Sequence, residues 1–167
     1  ADNTVQTRFE GIAYEVYFLP ENREAAIAAI LREINNADDR IRMMIFSMTR
    51  DDIPRALIAQ ANAGVDVEVL FERRGSTTSF SALPPLFCAG VPVLRDGGRG
   101  IMHHKVVIID DDTVITGSAN FSNSAFQMND DNLIIIRSAG IAATYLEEYA
   151  RLRAQATAPT VADITCE

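Results

Sequence analysis

Between residues 40 and 71 two short apolar runs bracket an amphipathic helix, and that alternation leaves the chain few folds to choose from. Residues 40–47 are mostly apolar and read as a buried strand. Residues 51–63 read as a helix, with Ile53, Leu57, Ile58 and Ala61 on one face, Pro54 early and Gly64 at its end. Val65, Val67, Val69 and Phe71 then alternate with Asp66 and Glu68, a strand with one wet face. The pattern continues outward on both sides. Residues 12–19 are aromatic and β-branched and stop at Pro20, and residues 22–35 carry Ala26, Ile27, Ile30, Leu31 and Ile34 on one helical face. Downstream lie a short helix over 81–88, a strand over 91–94 and a flexible loop over 95–100. A hairpin of 102–109 and 113–118, a strand at 133–136 and a last helix marked by Ile141, Tyr145, Tyr149 and Leu152 complete the series. The alternation predicts an α/β sandwich, a central mixed sheet with helices on both faces. With 167 residues the chain can bury its own core, so 1–157 is expected as one domain and 158–167 as a flexible tail.

Both histidines and the only lysine stand together as His103-His104-Lys105, while every other basic residue is arginine. They open a longer pattern, H-x-K-x4-D-x6-G-S-x-N, made by His103, Lys105, Asp110, Gly117, Ser118 and Asn120. An imidazole, an ammonium, a hydroxyl and an amide in one short stretch suit phosphate chemistry. In a strand, residues two apart share a face, so His103 and Lys105 point together and His104 is a bystander on the other side. If the hairpin loop is the pair Asp111-Asp112, Lys105 lies opposite Ser118 and His103 opposite Asn120, four polar side chains on one patch. A three-residue loop would move one pair to the wrong face. Asp110 starts the turn about 15 Å from Lys105, too far to touch a phosphate held there, and reads as structural.

This string resembles the signature of the phospholipase D superfamily, the HKD motif with its G-S-x-N extension. Residues 42–47, 64–67 and 74–75 are similar to segments of the short single-motif bacterial endonucleases of that superfamily, so the resemblance covers most of 15–137. It implies an α-β-α catalytic domain and a two-step phosphodiester exchange through a phosphohistidine. His103 matches the nucleophile, Lys105 and Asn120 the phosphate-binding positions, Ser118 the hydroxyl position, and Asp110 and Gly117 the structural ones. Asp131 falls where family members usually carry a glutamate that bonds the motif histidine. The resemblance implies no metal and no other cofactor. It also implies a second histidine, and this chain has one motif. A homodimer with its active site at the two-fold interface is therefore expected. Two facing copies of His103 should titrate as a pair and give a bell-shaped pH–rate profile.

A net charge of −8 argues against a general electrostatic nucleic-acid binder but leaves open an enzyme whose basic residues gather at one cleft. Arg73, Arg74, Arg95 and Arg99, all in loops, are candidates to grip a phosphate backbone. A nucleic-acid substrate is expected on these grounds. The alternatives are a phosphodiesterase or phosphatidyltransferase acting on phospholipid headgroups, or half of a two-motif enzyme serving as an assembly module. No apolar run approaches the length of a membrane span. Cys88, in an apolar stretch, reads as a buried thiol, and Cys166 lies in a polar tail. One disulfide between them is open, and a metal site from the pair is not expected. The chain begins at Ala1, which suggests a processed terminus and a periplasmic or secreted protein, with an internal boundary and a cytoplasmic location as alternatives.

Overall fold

The computed structural model describes residues 4–166. Eight strands form one mixed sheet. In chain order they are β1 (Val5–Phe9), β2 (Ile12–Phe18), β3 (Arg40–Ile45), β4 (Asp66–Phe71), β5 (Val93–Arg95), β6 (Lys105–Ile109), β7 (Thr113–Gly117) and β8 (Asn132–Arg137). Five helices join them: α1 (Arg23–Asn35), α2 (Asp52–Ala63), α3 (Leu83–Cys88), α4 (Asn123–Gln127) and α5 (Ala139–Arg153). The strand order is β1-β2-β8-β7-β6-β3-β4-β5; β3, β4 and β5 run parallel and every other neighbouring pair is antiparallel.

The expected layers are present. Strand residues alternate between two cores. Met43, Ile45, Val69, Phe71, Val107 and Ile109 pack with α1 to α4 on one face, against Ile30, Ile34, Leu57, Leu86 and Phe126. Met44, Leu70, Val106, Ile108 and Val114 face the other way, onto Ala142, Tyr149 and Leu152 of α5. Each fully buried aliphatic side chain contributes roughly 1.5–3 kcal/mol. Gly64 ends α2 at φ 101°, a left-handed turn a β-carbon would oppose, and its N–H and that of Val65 return to Ala61 and Gln60. Ser138 caps α5 by accepting from the Ile141 N–H.

Two elements lie outside the sequence expectation. β1 is an edge strand exposed at every position, so no alternation of apolar residues marks it. Its turn to β2 uses positive φ at Glu10 and Gly11. Helix α4 is too short to show a helical period. Residues 158–166, expected as a loose tail, return to the body: Ile164 is buried in the larger core and Cys166 is disulfide-bonded to Cys88. Cys88 is thus an exposed cystine half at the end of α3, not a buried thiol.

Candidate active site

Strand direction gathers the loops. β3, β4, β5 and β7 end where β6 and β8 begin, so the segments after Ile45, Phe71, Arg95 and Gly117 all surround His103. Backbone bonds tie them together. The Phe46 N–H donates to the His104 carbonyl (2.8 Å), Phe121 N–H to Ser47 (3.1 Å) and Ala82 N–H to Met48 (2.9 Å).

The strand β6 starts at Lys105, so His103 is exposed just before it. Lys105 is 5% exposed, and its Nζ lies 3.2 Å from His103 Nδ1 and donates to the His103 carbonyl at 2.9 Å. An ammonium has only donors, so Nδ1 is the acceptor and the neutral ring carries its proton on Nε2. Burial pushes the Lys105 ammonium below its ordinary pKa, and the Asp131 carboxylate pulls part of the way back. Phe46 touches both groups: its ring centroid is 4.4 Å from the His103 ring and 4.8 Å from Lys105 Nζ. Sequence reasoning missed Phe46 because it treats the run 40–47 only as core.

The hairpin register differs from the expected one by a residue. Val107 pairs with Ile115 and Ile109 with Thr113, so the connection is the three residues 110–112. Continued outward, that register sets Lys105 across from Gly117, not Ser118. The face rule nevertheless stops at Gly117, where β7 ends at φ 148°. A β-carbon there would sit 2.2 Å from the Asn132 carbonyl oxygen, so only glycine lets β7 and β8 close in. Beyond it, Ser118 Oγ donates to Asp131 Oδ1 (2.6 Å) and accepts from the Asn132 N–H (3.1 Å). Asn129 Nδ2 donates to the other Asp131 oxygen at 3.2 Å. Among the described residues no hydrogen bond joins Asp131 to His103; the carboxylate is held by Ser118 and Asn129 and reaches Lys105 only through its charge. Asn120 Oδ1 is buried without a hydrogen-bond partner among the described residues. Asp110 lies at the opposite end of β6 and accepts from the backbone N–H groups of Asp38, Asp39 and Arg40. His104 points away from the motif and pairs with Glu148 of α5 at 3.3 Å.

Eight of the fourteen arginines are paired with acidic side chains. Arg23, Arg32, Arg40, Arg42, Arg50, Arg137, Arg151 and Arg153 all bind carboxylates. Arg73, Arg74, Arg95 and Arg99 have no carboxylate in ion-pair contact among the described residues, and all four stand at the His103 end of the sheet. Arg99 lines a cavity of about 270 Å³ with His103, His104, Glu148 and Arg151. Arg95, its Nε buried and unpartnered, lines a second of about 430 Å³ with Ser76, Thr78, Ser79 and Asp163. No helix among the described residues is long and apolar enough to cross a membrane.

Residues 30–153 match the family model of the cardiolipin synthase PLD-like domain. A phospholipase D of Rickettsia prowazekii is 38% identical over 120 residues, 72% of this chain and 58% of that protein. A mitochondrial cardiolipin hydrolase of Xenopus laevis is 31% identical over 129 residues, 77% of this chain and 61% of that one. The chain therefore spans less than two thirds of either relative. Among solved structures, the phospholipase D family member Nuc from Salmonella typhimurium superposes with a TM-score of 0.83 and 34% identity, over 89% of this chain and 98% of Nuc. NucT from Helicobacter pylori shares the fold at a TM-score of 0.82 and 24% identity, over 89% of this chain and 99% of NucT.

Proposed function

The chain belongs to the phospholipase D superfamily through its PLD-like domain, and on that premise we propose a homodimeric, metal-independent endonuclease that cuts DNA or RNA through a phosphohistidine on His103. One observation carries the reading: a buried ammonium, Lys105, spends two of its donors on His103 and keeps a third. A phosphoryl oxygen fits that third donor and offsets the cost of burying the charge. The Asn120 amide would supply a second contact by donating from Nδ2 to a phosphoryl oxygen. Arg73, Arg74, Arg95 and Arg99 would follow a phosphate backbone away from the reacting group. The net charge of −8 opposes long-range attraction of a polyanion, so binding would rest on these four arginines close to the site.

In this reading His103 Nε2 attacks phosphorus as the P–O ester bond breaks, and the partner subunit's His103, protonated, gives its proton to the leaving oxygen. The partner subunit's His103, now neutral, then takes a proton from water as the water oxygen bonds phosphorus, the P–N bond breaks and its electrons return to His103. Attack requires the His103 proton on Nδ1. Phosphate that draws the Lys105 ammonium away from Nδ1 allows solvent to take the Nε2 proton and return one to Nδ1. Ser118 holds Asp131 beside Lys105, where its charge keeps the ammonium protonated.

The second chain has a surface to meet. Phe18, Phe80, Ile101 and Met128 are 46%, 79%, 56% and 79% exposed, and all four belong to segments at the His103 end. Apolar side chains gathered there suit an interface. They also favour a second reading, hydrolysis at a phospholipid headgroup, which agrees with the names of the two curated relatives. Plasmid nicking with and without EDTA, on wild type and His103→Ala, tests the proposal. Nicking that persists in EDTA and disappears in the variant supports it. Headgroup release from phosphatidylcholine or cardiolipin with no nicking supports the second reading. A monomeric mass in light scattering with neither activity would leave an assembly module.

A further inference from the structure

The arginine-bearing loops do not hold themselves in place. Loop 72–82 carries Arg73 and Arg74 and leads directly into α3, whose last residue is Cys88. Loop 95–104 carries Arg95 and Arg99 and leads into His103. The strap of residues 154–166 that leaves α5 touches both, from the side away from β3. It meets the second loop first. The backbones of Thr157 and Arg95 exchange two hydrogen bonds, 2.8 and 2.9 Å, adding a bridge at the open edge of β5. Gln155 lies flat on the glycines that follow. A β-carbon on Gly97 would come within 2.0 Å of its carbonyl oxygen, and its amide donates to Asp96 at 3.4 Å. The strap then crosses to the first loop. Ile164 enters the core that also holds Ala82, Leu83 and Leu86, and Asp163 faces Arg95 across the cavity shared with Ser76, Thr78 and Ser79. The Cys88–Cys166 disulfide closes the far end, joining residues 78 apart in sequence.

We propose that this strap positions the two arginine loops for a polymeric phosphodiester, so that opening Cys88–Cys166 loosens the grip on long substrates and leaves the chemistry at His103 intact. The inference rests on the nucleic-acid reading above for its substrate, but the clamp itself does not. The separation follows from the anchors. His103 and Lys105 are fixed by β6, Phe46 and the β3 pairing, none of which involves the strap. Apart from the strap, the loops are tied to the sheet near their ends, by Glu72 N–H to Ile45, Ala82 N–H to Met48, Asp96 N–H to Phe71 and Phe46 N–H to His104, while the Ser76 and Thr77 hydroxyls bond back within their own turn, to Arg73 and Arg74. Thr157, Ile164 and the cystine are therefore positioning residues, and in an oxidising compartment they would keep the polymer groove formed.

Three measurements on the intact chain, oxidised and then reduced under native conditions, test this. Fluorescence anisotropy with a thirty-nucleotide single strand should show weaker binding after reduction. The slope of log affinity against log salt should fall by about 1–2, the signature of one or two phosphates no longer neutralised by arginine. Turnover of bis(p-nitrophenyl) phosphate should stay within twofold, and the mass in solution should not change. Limited trypsin digestion should speed up after Arg73, Arg74 and Arg99. Cys166→Ser should behave as the reduced protein. Thr157→Pro, which removes one bridge donor and keeps the disulfide, should show a smaller change in the same direction. Unchanged affinity and unchanged digestion after complete opening of the disulfide would overturn the clamp. So would equal loss of small-diester turnover and oligonucleotide binding, which would mean general disruption. Faster digestion with no oligonucleotide affinity in either state would sink the nucleic-acid reading and leave the clamp standing.

Discussion

Asp110→Asn should destabilise the fold without slowing the reaction, although Asp110 is a letter of the catalytic signature. The carboxylate joins the β6–β7 turn to the entry of β3. One oxygen accepts from Asp38 N (2.8 Å), the other from Asp39 N (2.8 Å) and Arg40 N (3.0 Å). A hydrogen bond to a charged group is worth roughly 1.5–3 kcal/mol, and partial exposure here brings each nearer to about 1 kcal/mol. Asparagine keeps one oxygen, loses the charge and turns an NH2 toward the Asp38 donor. It tolerates the positive φ of 48° at this position, so backbone strain is not added. The expected loss is about 2–3 kcal/mol, or roughly 5–10 °C in Tm for a chain of this size. The site lies a whole strand away, roughly 16 Å at strand rise, so kcat on a small diester at 25 °C should stay within twofold. pH supplies an independent check. Burial alone would raise the Asp110 pKa, yet the three backbone donors hold it below its ordinary value. A carboxyl depressed in the folded state stabilises at pH above its unfolded pKa and ceases to do so as pH falls through its folded one. The Tm gap between variant and wild type should therefore be full above about pH 4 and close on further acidification. Thermal unfolding by circular dichroism across pH reads this directly. A tenfold loss of kcat at unchanged Tm would refute the structural role, and a gap that persists in strong acid would refute the electrostatic account of it.

Other outcomes follow from the same geometry. Gly117→Ala must part β7 from the Asn132 backbone and hold a positive φ, so about 2–5 kcal/mol should be lost and the Ser118–Asp131 contact disturbed; an unchanged Tm contradicts the close approach. Phe46→Leu removes the ring shared by His103 and Lys105, which should cost about tenfold in kcat with little change in KM, while Phe46→Tyr restores it. Equal effects of leucine and tyrosine would show that the ring's π-face is not what matters. If two copies of His103 share one site, kcat/KM should be bell-shaped in pH, and a profile flat over roughly pH 5 to 8 would count against the pair.

Much of this architecture is legible in the amino-acid order. Strand and helix periods between residues 12 and 152 place most of the elements, because two-sided burial leaves a pattern in apolar spacing. β1 has no buried face and α4 no full period, so neither leaves one. The hairpin register departs by one residue from the expectation for a reason outside the hairpin. Three consecutive aspartates carry no glycine to mark the turn, and its length is set by Asp110 bonding to residues 38–40, some seventy positions earlier. Phe46 looks like any other apolar residue until the pairing of β3 with β6 sets it against the histidine.

The layered α/β class and the signature His103, Lys105, Asp110, Gly117, Ser118 and Asn120 can be read from the amino-acid order alone, since both depend on residue type and short-range spacing. The folded arrangement settles which charges are paired. Arg32 meets Glu15, Arg137 meets Glu33 and Arg153 meets Glu68 across the fold, while Arg73, Arg74, Arg95 and Arg99 beside the site have no carboxylate in ion-pair contact among the described residues. It also decided that Asp131 is tied to Ser118 and that a polar C-terminal segment becomes a cross-linked strap. Pairings of this kind join residues far apart in the chain, and their energy depends on distance and burial, quantities that come into being only when the chain has folded.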